Sequence, residues 1–162
     1  MGQALARRLG WRFVDLDQRI EGRAGKTIPE IFTRFGEEFF RGIETAALRE
    51  LLAELPHRSP VVVALGGGVP VQEQNAALLA SCGAPQVFLD APFEVMYRRC
   101  NQTAPARPLF RDEEQARLLY ESRRQHYLKA QFRMDTGSRS VEDTAADIAR
   151  ALGLEATEKE TR

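Results

Sequence analysis

The stretch "PVVVALGGG", residues 60–68, limits the fold more than any other part of the chain. Val61-Val62-Val63 is a continuous apolar run with no polar alternation. A strand with one wet face would alternate, so this run predicts a strand of a parallel sheet covered on both faces. "PQVFLDAP", residues 85–92, predicts a second buried strand of the same kind, and "RFVD" and "FRMDT" predict two shorter ones at 12–15 and 132–136. Helical patterns fill the intervals: 2–9, 17–24, 27–35, 37–55, 72–82, 92–100, 112–130 and 141–152. In the first, Ala4, Leu5 and Leu9 face a core, with no capping residue before them. Phe40, Ile43, Ala47, Leu51 and Leu55 recur at helical spacing, and Gly36 is expected to break the pattern ahead of them. Strands alternating with helices imply an α/β fold with a parallel sheet flanked by helices.

"EGRAGKT", residues 21–27, carries the Gly-Lys-Thr that closes many phosphate-binding loops. The full loop, G-x-x-x-x-G-K-[ST], needs a glycine at position 20 and a buried strand before it. Position 20 is Ile20, and the residues before it are polar and helical. Gly25 instead reads as a helix end, and Thr27 with Glu30 as the capping box of the next helix, whose first turn accepts Pro29.

The 162 residues, 43% hydrophobic, suit one core, expected over 1–152, with a charged tail at 153–162. Lys+Arg and Asp+Glu are both 23, and zero net charge disfavours a nucleic-acid partner held by bulk electrostatics. No apolar run reaches the length of a membrane span. Cys82 and Cys100 lack metal or redox spacing and are expected to be buried thiols of a reduced, cytoplasmic protein. His57 and His126 are the only histidines, and no Ser-His-Asp pattern is apparent.

Five constellations could carry chemistry. Asp15-x-Asp17 ends the first strand, where open parallel sheets bind ligands; the pair could serve magnesium and a substrate hydroxyl, or Asp17 could simply cap the following helix. Gly66-Gly67-Gly68 is either a flexible turn or a backbone kept bare for something to lie against it. In "FFRGIE", Arg41 is either a surface arginine paired to nearby glutamates or a fork for a carboxylate. Arg107 in "ARPLF" lies in an ordinary loop or in a lid that closes on phosphate. In "SRRQHYLKA", Arg123 and Tyr127 stand one turn apart, on a solvated face or toward a ligand.

In this order the pieces resemble shikimate kinase, from residue 2 to about residue 150. "GWRFVDLD" is similar to that family's strand and D-x-D, "GKTIPEIFTRFGEEFFRGIE" to its substrate-binding helices, and "VVVALGGG" to its triple-glycine turn. "ARPLF" resembles its lid, and "SRRQHYLKA" its R-x-x-x-Y helix. The resemblance implies a three-layer P-loop kinase-like fold and ATP-dependent phosphorylation of the shikimate 3-hydroxyl, by a monomer. It implies that Asp15 positions magnesium and that Asp17 holds the shikimate hydroxyls and acts as base. Arg41 and Arg123 would grip the carboxylate, and Gly66, Gly67 and Gly68 would meet the ring through backbone. Arg107 would close on the ATP phosphates, and Arg139, in "DTGSRS", would approach adenine. The family's first strand, central in its sheet, and its phosphate loop would precede residue 2. The strands of residues 1–162 are therefore expected in two groups lacking the partner between them, and these residues alone are expected to transfer little phosphate. A non-catalytic module of the same family, or another small-molecule kinase such as gluconate kinase, remain alternatives. The triple glycine and F-R-x-x-E favour shikimate over gluconate.

Overall fold

The computed structural model describes residues 1–55, 59–103 and 112–154. Among the described residues, four strands are interspersed with seven helices. In chain order they are α1 (Gly2–Leu9), β1 (Arg12–Asp15), α2 (Leu16–Ala24), α3 (Ile28–Glu54), β2 (Val61–Ala64), α4 (Glu73–Ser81), β3 (Val87–Asp90), α5 (Phe93–Thr103), α6 (Glu113–Tyr127), β4 (Phe132–Asp135) and α7 (Val141–Ala151). A short 3-10 turn, Val69–Val71, precedes α4.

β1 pairs in parallel with β2, from Arg12 opposite Val61 to Asp15 opposite Ala64. β3 pairs in parallel with β4, from Val87 opposite Phe132 to Asp90 opposite Asp135. Among the described residues these are two separate two-stranded sheets, as the resemblance led one to expect. Helices cover both faces. On one, Ala4 and Leu5 of α1 meet Ala145, Ile148 and Ala149 of α7, with Val62, Val87 and Met134 packed against them. On the other, Leu16 and Ile20 of α2 join Ile31, Phe40, Leu48 and Leu51 of α3, with Val14 and Val63 against them. Adjacent residues Val62 and Val63 thus serve opposite layers, as the two-residue period of a strand requires.

β2 and β3 depart from expectation. They were predicted to be buried, yet every residue of β2 is only half-buried, and Leu89 of β3 is 40% exposed. The cause is the break in the sheet: β2 pairs only with β1 and β3 only with β4, and their other edges face an apolar cavity of about 630 Å³. The cysteines differ as well. Both are free thiols, but Cys82 is exposed and Cys100 half-buried. Finally, α6 stops at Tyr127 rather than 130. The amides of Lys129 and Ala130 turn back three residues, to His126 and Tyr127, and tighten the chain out of the helix.

Gly25-Lys26-Thr27 is a helix-to-helix joint. Gly25 ends α2 with φ 60°, and its amide returns to Glu21. Thr27 and Glu30 form the reciprocal capping box that starts α3. Arg19–Glu54 and Arg23–Glu50 ion pairs then clasp α2 to the far half of α3. Within α3, Gly36 adopts φ 82° and ψ 175°, a kink that turns the second half of the helix. Only glycine adopts that conformation cheaply. Gly36→Ala should therefore lower stability by about 1–3 kcal/mol in urea unfolding. Gly22→Ala in α2, where the added methyl meets open space, should instead be neutral or raise it by up to about 1 kcal/mol. Equal effects at the two positions would show that the kink is not held by glycine.

Candidate active site

The site lies at the C-terminal edge of the strands, where β1 runs into α2 and β2 into the glycine turn. Asp15 caps α2: its Oδ1 accepts from the amides of Asp17 at 2.9 Å and Gln18 at 3.2 Å. The sequence had offered Asp17 as the cap, and the structure gives that task to Asp15. Asp17 is thereby placed in the first turn of α2, with its carboxylate against Gly66.

The three glycines are explained by what touches them. None has a positive φ, so space rather than backbone freedom is the reason for glycine. A Cβ on Gly66 would sit 2.7 Å from Asp17 Oδ1. On Gly67 it would sit 2.9 Å from the Tyr127 hydroxyl and 3.5 Å from Arg123 Nη1. On Gly68 it would sit 2.7 Å from the guanidinium carbon of Arg41. The bare turn therefore brings together Asp17, Arg41 and Arg123, three of the residues singled out in the sequence. It adds Tyr127, whose hydroxyl donates to the Gly67 carbonyl at 2.6 Å and whose ring lies 5.2 Å from that of Phe88. The R-x-x-x-Y spacing was the available signal for Tyr127, since one helical turn puts Arg123 and Tyr127 on the same face.

Arg41 is paired to neighbouring glutamates, as one of its two readings expected. It donates through Nε and Nη2 to Glu37, and through Nη1 to Glu44 at 2.9 Å. The partners differ: the Glu37 side chain is 66% exposed, that of Glu44 only 2%. Burial works against the charge on Arg41, but hydrogen bonds to Glu37 and Glu44 outweigh it and hold its pKa above the ordinary value. Glu44 is pushed the other way. Burial raises its pKa, with the Asp17 charge adding, and the bond and charge of Arg41 only partly oppose it. Burial also keeps Tyr127 a neutral phenol, against the pull of Arg123 and Arg41.

The neighbouring arginines of "SRR" do different work. Arg124, with Arg133, binds the buried carboxylate of Asp90 at 2.8 and 2.7 Å, which fixes α6 to the end of β3. Arg123 has no carboxylate paired to it among the described residues and stays beside Gly67. Arg139 is not gathered into this group; it forms an ion pair with Asp147 of α7. Arg107 lies outside the described residues. No cluster of three or more acidic, histidine or cysteine residues with the geometry of a metal cage occurs among the described residues.

Parallel strands of an α/β fold whose C-terminal ends carry two aspartates, two arginines and a bare glycine turn are the frame of an enzyme acting on a small anionic molecule. The comparisons specify the family. The shikimate kinase family model matches residues 1–153. The shikimate kinase of Geobacter sulfurreducens is 42% identical over 152 residues, covering 92% of this chain and 81% of the relative. The solved shikimate kinase of Acinetobacter baumannii, in complex with shikimate, superposes with a TM-score of 0.84 at 34% identity, covering 93% of this chain and 83% of that one. That of Aquifex aeolicus gives 0.79 at 33%, covering 94% and 87%. The chain belongs to the shikimate kinase family, kinases that transfer phosphate from ATP to shikimate.

The raised pKa of Glu44 has a consequence for stability. Its folded value lies above the ordinary 4.5, so the folded chain holds this proton more tightly than the unfolded chain does. Its titration favours folding fully below the unfolded pKa, and that contribution is lost as pH rises through the folded pKa. Measured against Glu44→Gln, the urea midpoint of the unsubstituted chain should therefore climb as pH falls through this window. A difference that stays flat with pH would show that burial does not perturb Glu44.

Proposed function

We propose that this chain holds shikimate by its carboxylate between Arg41 and Arg123, with the ring against Gly66–Gly68, and that Asp17 takes the proton of the reacting 3-hydroxyl. The observation that carries this reading is the convergence of Asp17, Arg41 and Arg123 on one glycine turn. A small carboxylate bearing hydroxyls needs a cationic fork at one end and a proton acceptor at the other, and the turn joins the two. Glu37 is exposed, so its contact with Arg41 contributes little and yields readily to a ligand carboxylate. Glu44 stays and keeps the guanidinium aimed.

In the transfer, the hydroxyl oxygen forms a bond to the γ-phosphorus as the bond from that phosphorus to the β,γ-bridging oxygen breaks. The hydroxyl proton passes to the Asp17 carboxylate, and ADP departs. Magnesium, when bound, would offset charge on the phosphates. Asp15 would be the residue that faces it. With one oxygen engaged in the cap, a lone carboxylate fits a hydrated ion held mainly by phosphate rather than a protein cage. Arg107 would reach the phosphates and Arg139 the adenine side. We read the enzyme as cytoplasmic and monomeric; its zero net charge supports the absence of a nucleic-acid partner, and among the described residues no helix is long and apolar enough to cross a membrane.

Calorimetric titration with shikimate tests the site. Arg41→Ala and Gly68→Ala should each weaken binding at least about tenfold, which is about 1.4 kcal/mol, while Gly22→Ala leaves it unchanged. Unaltered affinity in Arg41→Ala, or no binding by the parent chain, would overturn the assignment. Phosphate transfer is a separate measurement. The Gly25-Lys26-Thr27 of this sequence is consumed as helix ends, so residues 1–162 alone should release little shikimate-dependent ADP. Brisk release would show that phosphate is held by other groups.

A further inference from the structure

The residues after β2 form a tight turn, and its type decides what it can offer a ligand. The Val69 amide closes the turn by donating to the Gly66 carbonyl at 3.0 Å, so Gly67 and Gly68 are its two central residues. Gly68 has φ −83° and ψ −22°, as the third residue of a type I turn does. Types I and II differ by a flip of the central peptide plane, here the one joining Gly67 to Gly68. Type II needs a positive φ at the third residue and therefore favours glycine there. Gly68 is a glycine in that position, yet no residue of Gly66–Gly68 has a positive φ. With glycine at both central positions, sterics admit either form at little cost. Some other contact selects type I.

Tyr127 of α6, 60 residues further along the chain, makes that contact. Its hydroxyl donates at 2.6 Å to the Gly67 carbonyl, the oxygen of the plane that would flip. The peptide is planar and trans, so the Gly68 N–H points the opposite way. A flip would break the bond and exchange the two directions. The phenol itself is held in place. Its ring lies 5.2 Å from that of Phe88 on β3, and Arg123 stands beside the same glycine. Burial raises the Tyr127 pKa against the pull of Arg123 and Arg41, so the hydroxyl keeps the proton it donates.

The turn type has a chemical consequence. The carbonyls of Gly66, Gly67 and Gly68 are each bonded, to the Val69 amide, the Tyr127 hydroxyl and the Val71 amide, at 3.0, 2.6 and 3.2 Å. The amides of Gly67 and Gly68 have no acceptor among the described residues. The turn thus keeps donors in hand and no unbonded carbonyl, beside the guanidinium groups of Arg41 and Arg123. That suits a ligand whose polar atoms are carboxylate and hydroxyl oxygens. The flipped turn would withdraw one donor and present the Gly67 oxygen instead. A carbonyl oxygen there would repel a carboxylate and compete with it for the arginine donors.

We propose that the Tyr127 hydroxyl is a positioning group: by holding the Gly67 carbonyl it locks the Gly66–Val69 turn in the type I form, the form that turns amide donors rather than a carbonyl toward an anionic ligand. Tyr127 acts here through the Gly67–Gly68 peptide and not by touching the ligand. The effect on affinity rests on the shikimate reading given above. The effect on the turn does not, and it can be measured without ligand.

Two variants of the 162-residue chain separate the hydroxyl from the ring. Tyr127→Phe removes the hydroxyl and keeps the ring on Phe88, whereas Tyr127→Leu removes both. The residual dipolar coupling of the Gly68 N–H reads the direction of that bond in the free chain. It should move toward a second orientation in Tyr127→Phe. Calorimetry should show this variant binding shikimate about tenfold more weakly, as for a turn whose competent form is about one-tenth populated. Its urea midpoint should stay near that of the parent, while Tyr127→Leu loses midpoint as well as affinity. Parent-like affinity in Tyr127→Phe would show that only the ring matters and overturn the proposal. Weaker binding with an unchanged Gly68 coupling would also overturn it, because the hydroxyl would then act on the ligand itself. If the parent failed to bind shikimate, the binding mode would fall, and the coupling in Tyr127→Phe would still decide whether the hydroxyl holds the turn.

Discussion

Three side chains from three helices meet the backbone of Gly66–Gly68, and that meeting fixes how the rest of the site is built. Asp17 comes from α2, Arg41 from α3 and Tyr127 from α6. Each approaches to a distance that a methyl group on the turn would forbid. Packing interiors cannot absorb such an overlap without displacing neighbours. The glycines therefore set how closely side chains from these three helices approach one turn. The buried Asp90 acts at the neighbouring strand end in a complementary way. By holding Arg124 and Arg133 it sets the position of α6, which leaves Arg123 directed at the turn.

Much of this was legible because it is local. The capping box at Thr27 and Glu30, the helix end at Gly25 and the kink at Gly36 are short-range events, and each is signed by the residue that performs it. The arginines and the triple glycine could be named from the sequence, but their convergence could not. No periodicity shows that Arg41 and Tyr127 approach adjacent glycines, because their chain separation is large and only the tertiary fold closes it. Asp15 and Asp17 were confused for a related reason. Either carboxylate can cap a helix starting nearby, and the choice depends on where the strand stops and the helix takes over. Val61-Val62-Val63 misled in another way. Apolar runs report the environment a strand is suited to, and half-buried β2 does not occupy that environment with the partners present here.

The break between the sheets is therefore a matter of energy as well as topology. β2 and β3 keep apolar side chains in a cavity and, among the described residues, leave one edge each without a strand. Both conditions cost stability: apolar area left in contact with water forgoes about 25 cal/mol per Å², and each open edge lacks a strand partner among the described residues. The helical layers supply the frame. α1 and α7 bridge the two sheets on one face, since Val62 and Val87 pack into the same cluster.

The pairing of Arg41 with Glu44 shows how a carboxylate site can be kept ready without being neutralised. An arginine buried alone would carry a heavy desolvation cost, and one fully paired would have no attraction left for a ligand. Arg41 has one partner of each kind: Glu44 inside the fold and Glu37 at the surface. Glu44 fixes the direction of the guanidinium. Its own burial raises its pKa, against the bond and charge of Arg41. Glu37 occupies donors that an exposed glutamate cannot defend against a better-placed carboxylate, because water and salt screen its charge. Under the proposed binding mode, a ligand carboxylate would take over the two donors, Nε and Nη2, that Arg41 now gives to Glu37. The selectivity of such a site lies in geometry more than in charge. In that proposed mode, the ligand would place a carboxylate on Arg41 and a hydroxyl on Asp17 at once, across a turn that is all glycine.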